Sequence, residues 1–121
     1  MNRKNQATIL IVEDDANLLA VMEKALSSAG FYVIATTSAT KAWGLIETDC
    51  FSAFISDFDL KDRLSGFDLI RFCKSRKTVP CFLVTGLFFG ESDLKNAGVD
   101  KYFCKPFALY ELVLPHMEVA G

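Results

Sequence analysis

Four short apolar runs, each halted by residues able to handle phosphate or a metal ion, restrict what this chain can fold into more than any other feature. Ala7-Thr8-Ile9-Leu10-Ile11-Val12 runs into Glu13-Asp14-Asp15, Phe54-Ile55-Ser56 into Asp57, Phe82-Leu83-Val84 into Thr85-Gly86, and Lys101-Tyr102-Phe103-Cys104 into Lys105-Pro106. Runs of this kind, several of them apolar throughout rather than alternating, read as strands buried on both faces. A polar residue at the end of such a strand emerges at the rim of a sheet.

The segments between the runs carry helical periodicity. Asp14 or Asp15 can cap a helix whose inner face is Leu18, Leu19, Met22, Ala25 and Leu26, and which stops at Gly30. A strand is expected at residues 31–35. Ser38 then caps a second helix with Ala42, Leu45 and Ile46 inward and Trp43 at its edge. The third strand is expected at 51–57, followed by a polar loop to Ser65 and a helix from Gly66 carrying Phe67, Leu69, Ile70 and Cys73. Further strands are expected at 79–85 and 100–104, with a short helical piece at 91–97 between them and a last helix from about residue 108, which Pro115 should kink or end.

Strands alternating with helices imply an α/β fold, a doubly wound parallel sheet with helices on both faces. Right-handed crossovers place the carboxyl ends of all strands on one edge, with a ligand crevice where the strand order reverses. Glu13, Asp14, Asp57, Thr85 and Lys105 therefore converge although they are spread over most of the chain.

Three carboxylates in one cleft repel: at about 4 Å and an effective dielectric near 20, each pair costs about 4 kcal/mol. A hard divalent cation offsets this, and Mg²⁺, which takes oxygen ligands and favours one or two carboxylates plus a phosphate, suits an open site. Lys105 adds a positive point charge, Thr85 a hydroxyl, and Gly86 an approachable backbone N–H. The set reads as a phosphoryl-transfer site whose nucleophile is Asp57, forming an acyl phosphate.

Composition narrows the classes. The length of 121 residues suits one domain across 1–121 without an output domain, and a net charge of −2 offers no basic stripe for nucleic acid. The polar start and short first apolar run fit neither a signal peptide nor a membrane span, so a cytoplasmic location is expected. Cys50, Cys73, Cys81 and Cys104 form no Cys-x-x-Cys pair and read as small buried hydrophobes rather than a zinc or disulfide framework.

The Ile-Leu-Ile-Val-Glu-Asp-Asp opening, Asp57 after an apolar strand, Val84-Thr85-Gly86 and Lys105-Pro106-Phe107 together resemble the receiver domain of bacterial two-component response regulators, over about residues 7–114. The resemblance implies strand order 2-1-3-4-5 in a five-stranded sheet. It implies that Asp57 accepts phosphate from a histidine kinase or phosphotransfer protein, and that Glu13, Asp14, Asp57 and the backbone carbonyl of Asp59 hold Mg²⁺. Lys105 would contact the phosphoryl oxygens, Thr85 would swing toward them, and Tyr102 would be the aromatic that follows it inward. The Lys105-Pro106 bond matches one commonly cis in the family. The downstream partner is not specified, and a homodimer is compatible with this pattern.

Departures from the family pattern are visible too. Lys61 stands where a proline is usual, and Gly66 comes one residue late, so the loop after Asp57 should be longer and differently shaped. The span from Thr85 to Lys105 is short, so the fourth helix should be short or irregular. Phe88-Phe89 either marks a partner surface or, as favoured here, fills the gap left by that helix. His116 lies outside every motif. Two other readings stand beside the receiver: a haloacid-dehalogenase-type phosphatase, suggested by Asp57-Phe58-Asp59, and a degenerate receiver acting only by binding. The order of the acids along the chain argues against the first, and the full set of acceptor, acidic and lysine positions against the second.

Overall fold

The structure is a computed structural model and describes residues 7–105. Among the described residues nine elements alternate: β1 (Thr8–Val12), α1 (Ala16–Ser28), β2 (Tyr32–Thr36), α2 (Ala39–Thr48), β3 (Ala53–Asp57), α3 (Gly66–Arg76), β4 (Cys81–Thr85), α4 (Glu91–Ala97) and β5 (Lys101–Cys104). The strands form one five-stranded sheet in the order β2-β1-β3-β4-β5, with every neighbouring pair parallel.

Side-chain alternation along the central strands divides the core into two layers. Ile9 and Ile11 of β1, Ile55 of β3, and Phe82 and Val84 of β4 pack with Leu19, Met22 and Leu26 of α1. Their neighbours Leu10, Val12, Phe54 and Leu83 pack on the opposite face against Ala42 and Ile46 of α2 and Leu69, Ile70 and Cys73 of α3. Because β3 and β4 are covered on both sides they are buried along their whole length, whereas the edge strands β2 and β5 are only partly buried. That is why β1, β3 and β4 read as continuous apolar runs.

Local signals fix the helices. Ser38 Oγ accepts the Lys41 N–H at 3.0 Å and starts α2. Ser65 and Asp68 form a reciprocal capping box that starts α3. Gly66 is demanded by packing: a Cβ there would lie 2.3 Å from the backbone oxygen of Asp57. The glycine thus lets the start of α3 press against the end of β3, and its N–H donates to Phe58 O at 2.8 Å. α4 is short, as the span predicts, with seven residues and no side-chain cap at Gly90. It ends at Gly98, φ 88°, where a Cβ would meet Lys74 Cγ at 2.9 Å.

Several expectations shift. Strand 2 starts one residue later than expected, because Phe31 turns into the core, and strand 4 excludes Val79 and Pro80. Trp43 is half-buried at the edge of α2 and stacks on Phe72 of α3 with ring centroids 3.6 Å apart. Only Cys73 and Cys81 are buried; Cys50, in the loop after α2, and Cys104, at the end of edge strand β5, are exposed, against the expectation for all four. Phe88 and Phe89 part company. Phe89 packs on Phe58 and Phe67 at 4.7 and 4.8 Å between ring centroids, whereas Phe88 is 90% exposed, so the gap-filling expectation holds for one residue of the pair. The last helix, Pro115, His116 and the Lys105-Pro106 bond lie outside the described residues.

Candidate functional site

The parallel register fixes which strand ends meet. Val12 is level with Ser56, and Asp57 with Val84. Glu13 and Asp14, which leave β1, therefore stand beside Asp57 at the end of β3. Thr85 is level with Cys104, and the Lys105 N–H donates to Thr85 O at 2.9 Å, which carries the lysine across to the same edge.

Local sequence decides which acids remain available. Asp15 is committed to α1: its Oδ1 accepts from the N–H groups of Asn17 and Leu18 at 3.0 and 3.2 Å. Of the two candidate caps, it is therefore Asp15 that caps, and Asp14 is left facing the cleft. Glu13 Oε2 accepts the Asp15 N–H at 3.2 Å.

Ligand oxygens of Glu13, Asp14 and Asp57 lie within 4.8 Å of one another. Glu13 is 1% exposed and Asp57 6%. Lys105 Nζ sits between two of the acids, 3.0 Å from Glu13 Oε1 and 3.2 Å from Asp57 Oδ1. Burial pushes the Asp57 carboxyl above its ordinary range; Lys105 opposes the shift and Asp14 reinforces it. Glu13 is also raised, by burial first, with Lys105 opposing and Asp57 adding repulsion. Burial works against the charge on Lys105, but the two carboxylates outweigh it and hold the lysine above its ordinary value.

The other predicted residues are placed differently. Thr85 is buried at the cleft, yet its Oγ1 accepts the Leu87 N–H at 3.1 Å rather than reaching the acids. Gly86 is exposed beside it, with open space where a Cβ would stand. The Tyr102 ring packs against the layer of α2 and α3, and its hydroxyl donates to Leu87 O and lies 3.0 Å from Cys104 Sγ. Asp59 is exposed, and its Oδ1 accepts the Lys61 N–H at 3.1 Å. That hydrogen bond holds one oxygen of the carboxylate to its own loop.

A family model described as the response regulator receiver domain matches residues 9–115. The chain belongs to this family. Among curated proteins, the receiver is 37% identical over 108 residues to the probable transcriptional regulatory protein SilR of Salmonella typhimurium, covering 87% of this chain and 47% of that protein. It is 34% identical over 108 residues to the transcriptional regulatory protein CusR of Escherichia coli K12, with the same two coverages. The chain thus spans about half the length of these relatives. Among solved structures, a CheY-like response regulator receiver domain protein from Methanospirillum hungatei JF-1 superposes with a TM-score of 0.85 at 28% identity, covering 96% of this chain and 94% of that one.

The receiver's acidic cluster fits a hard cation. Its donors are all carboxylate oxygens, and Glu13 Oε1, fully buried, accepts no properly directed hydrogen bond; it is met only by the ion pair from Lys105. In the sequence Lys61 stands out only as a departure from the family pattern. The structure brings its Nζ to 3.6 Å from Asp14 Oδ2. The one sequence signal was a lysine four residues beyond Asp57. Among the described residues, no helix is long and apolar enough to cross a membrane.

Proposed function

We propose that this receiver domain is a phosphorylation switch in which Asp57 accepts a phosphoryl group from a histidine kinase or phosphotransfer protein, with Mg²⁺ held by Glu13, Asp14, Asp57 and the backbone carbonyl of Asp59. The observation that carries this reading is the position of Lys105 Nζ, within 3.2 Å of both Asp57 and Glu13. One buried carboxylate thereby stands against a fixed cation and beside two further acids.

In the reaction an Asp57 carboxylate oxygen attacks the phosphorus of a phosphohistidine. The P–N bond breaks as the P–O bond forms, and the imidazole leaves with the bonding electrons and takes up a proton. Mg²⁺ held by these acids would supply positive charge to the phosphoryl oxygens. Lys105 supplies the second positive charge from its fixed position, and the N–H of Gly86, an exposed residue without a side chain, can donate to another phosphoryl oxygen. Water later cleaves the acyl phosphate, so the chain catalyses only its own phosphorylation and dephosphorylation.

The switch runs through Leu87. Thr85 Oγ1 holds its N–H, and Tyr102 holds its carbonyl. Rotation of Thr85 toward a phosphoryl oxygen releases the Leu87 N–H and unties the start of the β4–α4 loop, leaving Tyr102 to follow. The output is a change of protein contacts, exerted in the cytoplasm without direct nucleic-acid binding by this domain.

Intact-mass spectrometry after incubation with acetyl phosphate tests the reading. The expected result is a Mg²⁺-dependent gain of one phosphoryl group, lost on hydroxylamine treatment and absent in Asp57→Asn. Label retained by Asp57→Asn would refute Asp57 as acceptor, and rapid consumption of acetyl phosphate without an adduct would favour a phosphatase.

A further inference from the structure

We infer that Lys61 is an exchangeable counterion of the acidic site: its ammonium neutralises Asp14 while no metal is bound, and it opposes the divalent cation that Asp14 would help to hold. This rests on the metal-site reading above and concerns how that site is tuned.

Charge pairing motivates it. Lys105 serves Glu13 and Asp57, and Asp14 is instead faced by Lys61 Nζ at 3.6 Å. The two lysines are held in opposite ways. The Lys105 side chain is 26% exposed and lies at 3.0 and 3.2 Å from its acids, whereas the Lys61 side chain is 78% exposed and beyond hydrogen-bond distance of Asp14. Lys105 is a fixture of the site; Lys61 can leave.

The loop is shaped to present it. Leu60 is buried and anchors the loop in the core. Asp59 Oδ1 accepts the Lys61 N–H at 3.1 Å, and Lys61 itself takes φ 52°, the left-handed region that residues with a Cβ avoid, uniquely among the described non-glycine residues. An anchored residue, a side-chain cap and an inverted backbone angle together turn the Lys61 side chain back over Asp14. A proline at this position could not adopt that angle.

The charge count gives the consequence. Three carboxylates and two lysines leave the metal-free site near −1, since −3 + 2 = −1. A divalent cation takes it to +1 while Lys61 stays and to 0 when Lys61 swings into solvent. Metal binding and the Lys61–Asp14 pair therefore compete.

The experiment is a Mg²⁺ titration of the whole 121-residue chain, followed by backbone amide shifts of residues 13–15 and 57–59 and by calorimetry, on wild type, Lys61→Gln and Lys61→Arg. Lys61→Gln should bind Mg²⁺ about two- to fivefold more tightly at low salt, the range an exposed ion pair supports. That gain should shrink at about 0.5 M salt, where screening is strong. Lys61→Arg should stay at the wild-type affinity. Because Lys61 is exposed, these substitutions leave the core intact, and a merely structural role would give no salt-dependent change. Unchanged or weaker Mg²⁺ binding by Lys61→Gln, or the same gain in Lys61→Arg, overturns the inference while the metal site stands. Failure of the wild type itself to bind Mg²⁺ overturns both.

Discussion

Replacing Asp57 by Asn should stabilise the metal-free receiver and blunt its response to Mg²⁺. The ligand oxygens of Glu13 and Asp14 lie within 4.8 Å of that of Asp57, so at an effective dielectric near 20 each repels it by about 3.5 kcal/mol, about 7 kcal/mol together. Lys105 Nζ, 3.2 Å from Asp57 Oδ1, returns about 5 kcal/mol. The remaining repulsion is about 2 kcal/mol, and burial of the carboxylate adds to it. An Asn amide keeps a weak contact with Lys105, and the cleft is partly open to water. The expected gain at pH 7 is therefore about 1–2 kcal/mol, a rise in Tm of roughly 3–8 °C. Asp57 is raised from its ordinary value of 3.8, so its ionisation penalty is present at neutral pH, fades as pH falls through the raised folded value, and is gone below about 3.8. The advantage of Asn should shrink accordingly between pH 7 and 4. Mg²⁺ at ten times its Kd should stabilise the wild type by about 1.4 kcal/mol and the variant by clearly less, because one of three anionic ligands is gone. Thermal and urea unfolding, with and without Mg²⁺, measure both effects. An Asn variant no more stable than wild type in EDTA at pH 7 would show that the Lys105 attraction outweighs the acidic repulsion, and would refute this account of the site.

Gly66→Ala should lose at least about 2 kcal/mol in urea unfolding, because its Cβ would stand 2.3 Å from the Asp57 backbone oxygen and must push α3 off β3. Lys105→Met should lose about 1–3 kcal/mol at pH 7, leaving two buried acids without their cation, and recover part of it near pH 4 as Glu13 and Asp57, both raised, take up protons; equal losses at both pH values would count against the pairing. Phe88→Ala should leave stability within about 0.5 kcal/mol, whereas Phe89→Ala should cost about 2 kcal/mol through loss of its contacts with Phe58 and Phe67; similar values for the two would refute the split assigned to them. Hydrogen exchange at the Leu87 amide should accelerate on phosphorylation, since its acceptor is Thr85 Oγ1; unchanged protection would argue that Thr85 does not move.

What the sequence made legible was the part governed by repetition. Ile9 to Val12, Phe54 to Asp57 and Phe82 to Thr85 are buried on both faces of the sheet, so their apolar character is unbroken and their ends announce the rim. Short-range ambiguity defeated the finer readings. Asp14 and Asp15 are equal as caps by composition, and only the turn after β1 decides that Asp15 bonds to α1 while Asp14 faces the cleft. Phe88 and Phe89 are identical neighbours that diverge because one points to the Phe58–Phe67 pair and the other to solvent. Cys104 sits in an apolar run, but its strand is at the sheet edge, where a run no longer guarantees cover. Lys61 was unreadable as a site residue because its placement depends on a backbone angle that no composition rule assigns to lysine.

The region between Thr85 and β5 is anchored unequally, and that asymmetry bears on how a local charge change spreads. At its far end, Gly98 fits against Lys74, whose Nζ donates to Asp100 Oδ2 at 2.6 Å, and the same oxygen accepts the Cys81 N–H at 2.7 Å. Those bonds tie the exit of α4 to α3 and to the start of β4. At the near end, α4 begins at Gly90 with no side-chain cap, and Ala97 is its one buried residue. There the chain is held by Phe89 in its aromatic cluster and by the two bonds at Leu87. A seven-residue helix has little stability of its own, so packing and end contacts decide its position. Releasing the Leu87 N–H removes one of the few restraints on the end nearest Asp57 while the far end stays clamped. In the proposed switch, motion would thereby be directed into Leu87 and Phe88, both exposed, rather than into the core. The short fourth helix would concentrate such a response in the loop that precedes it.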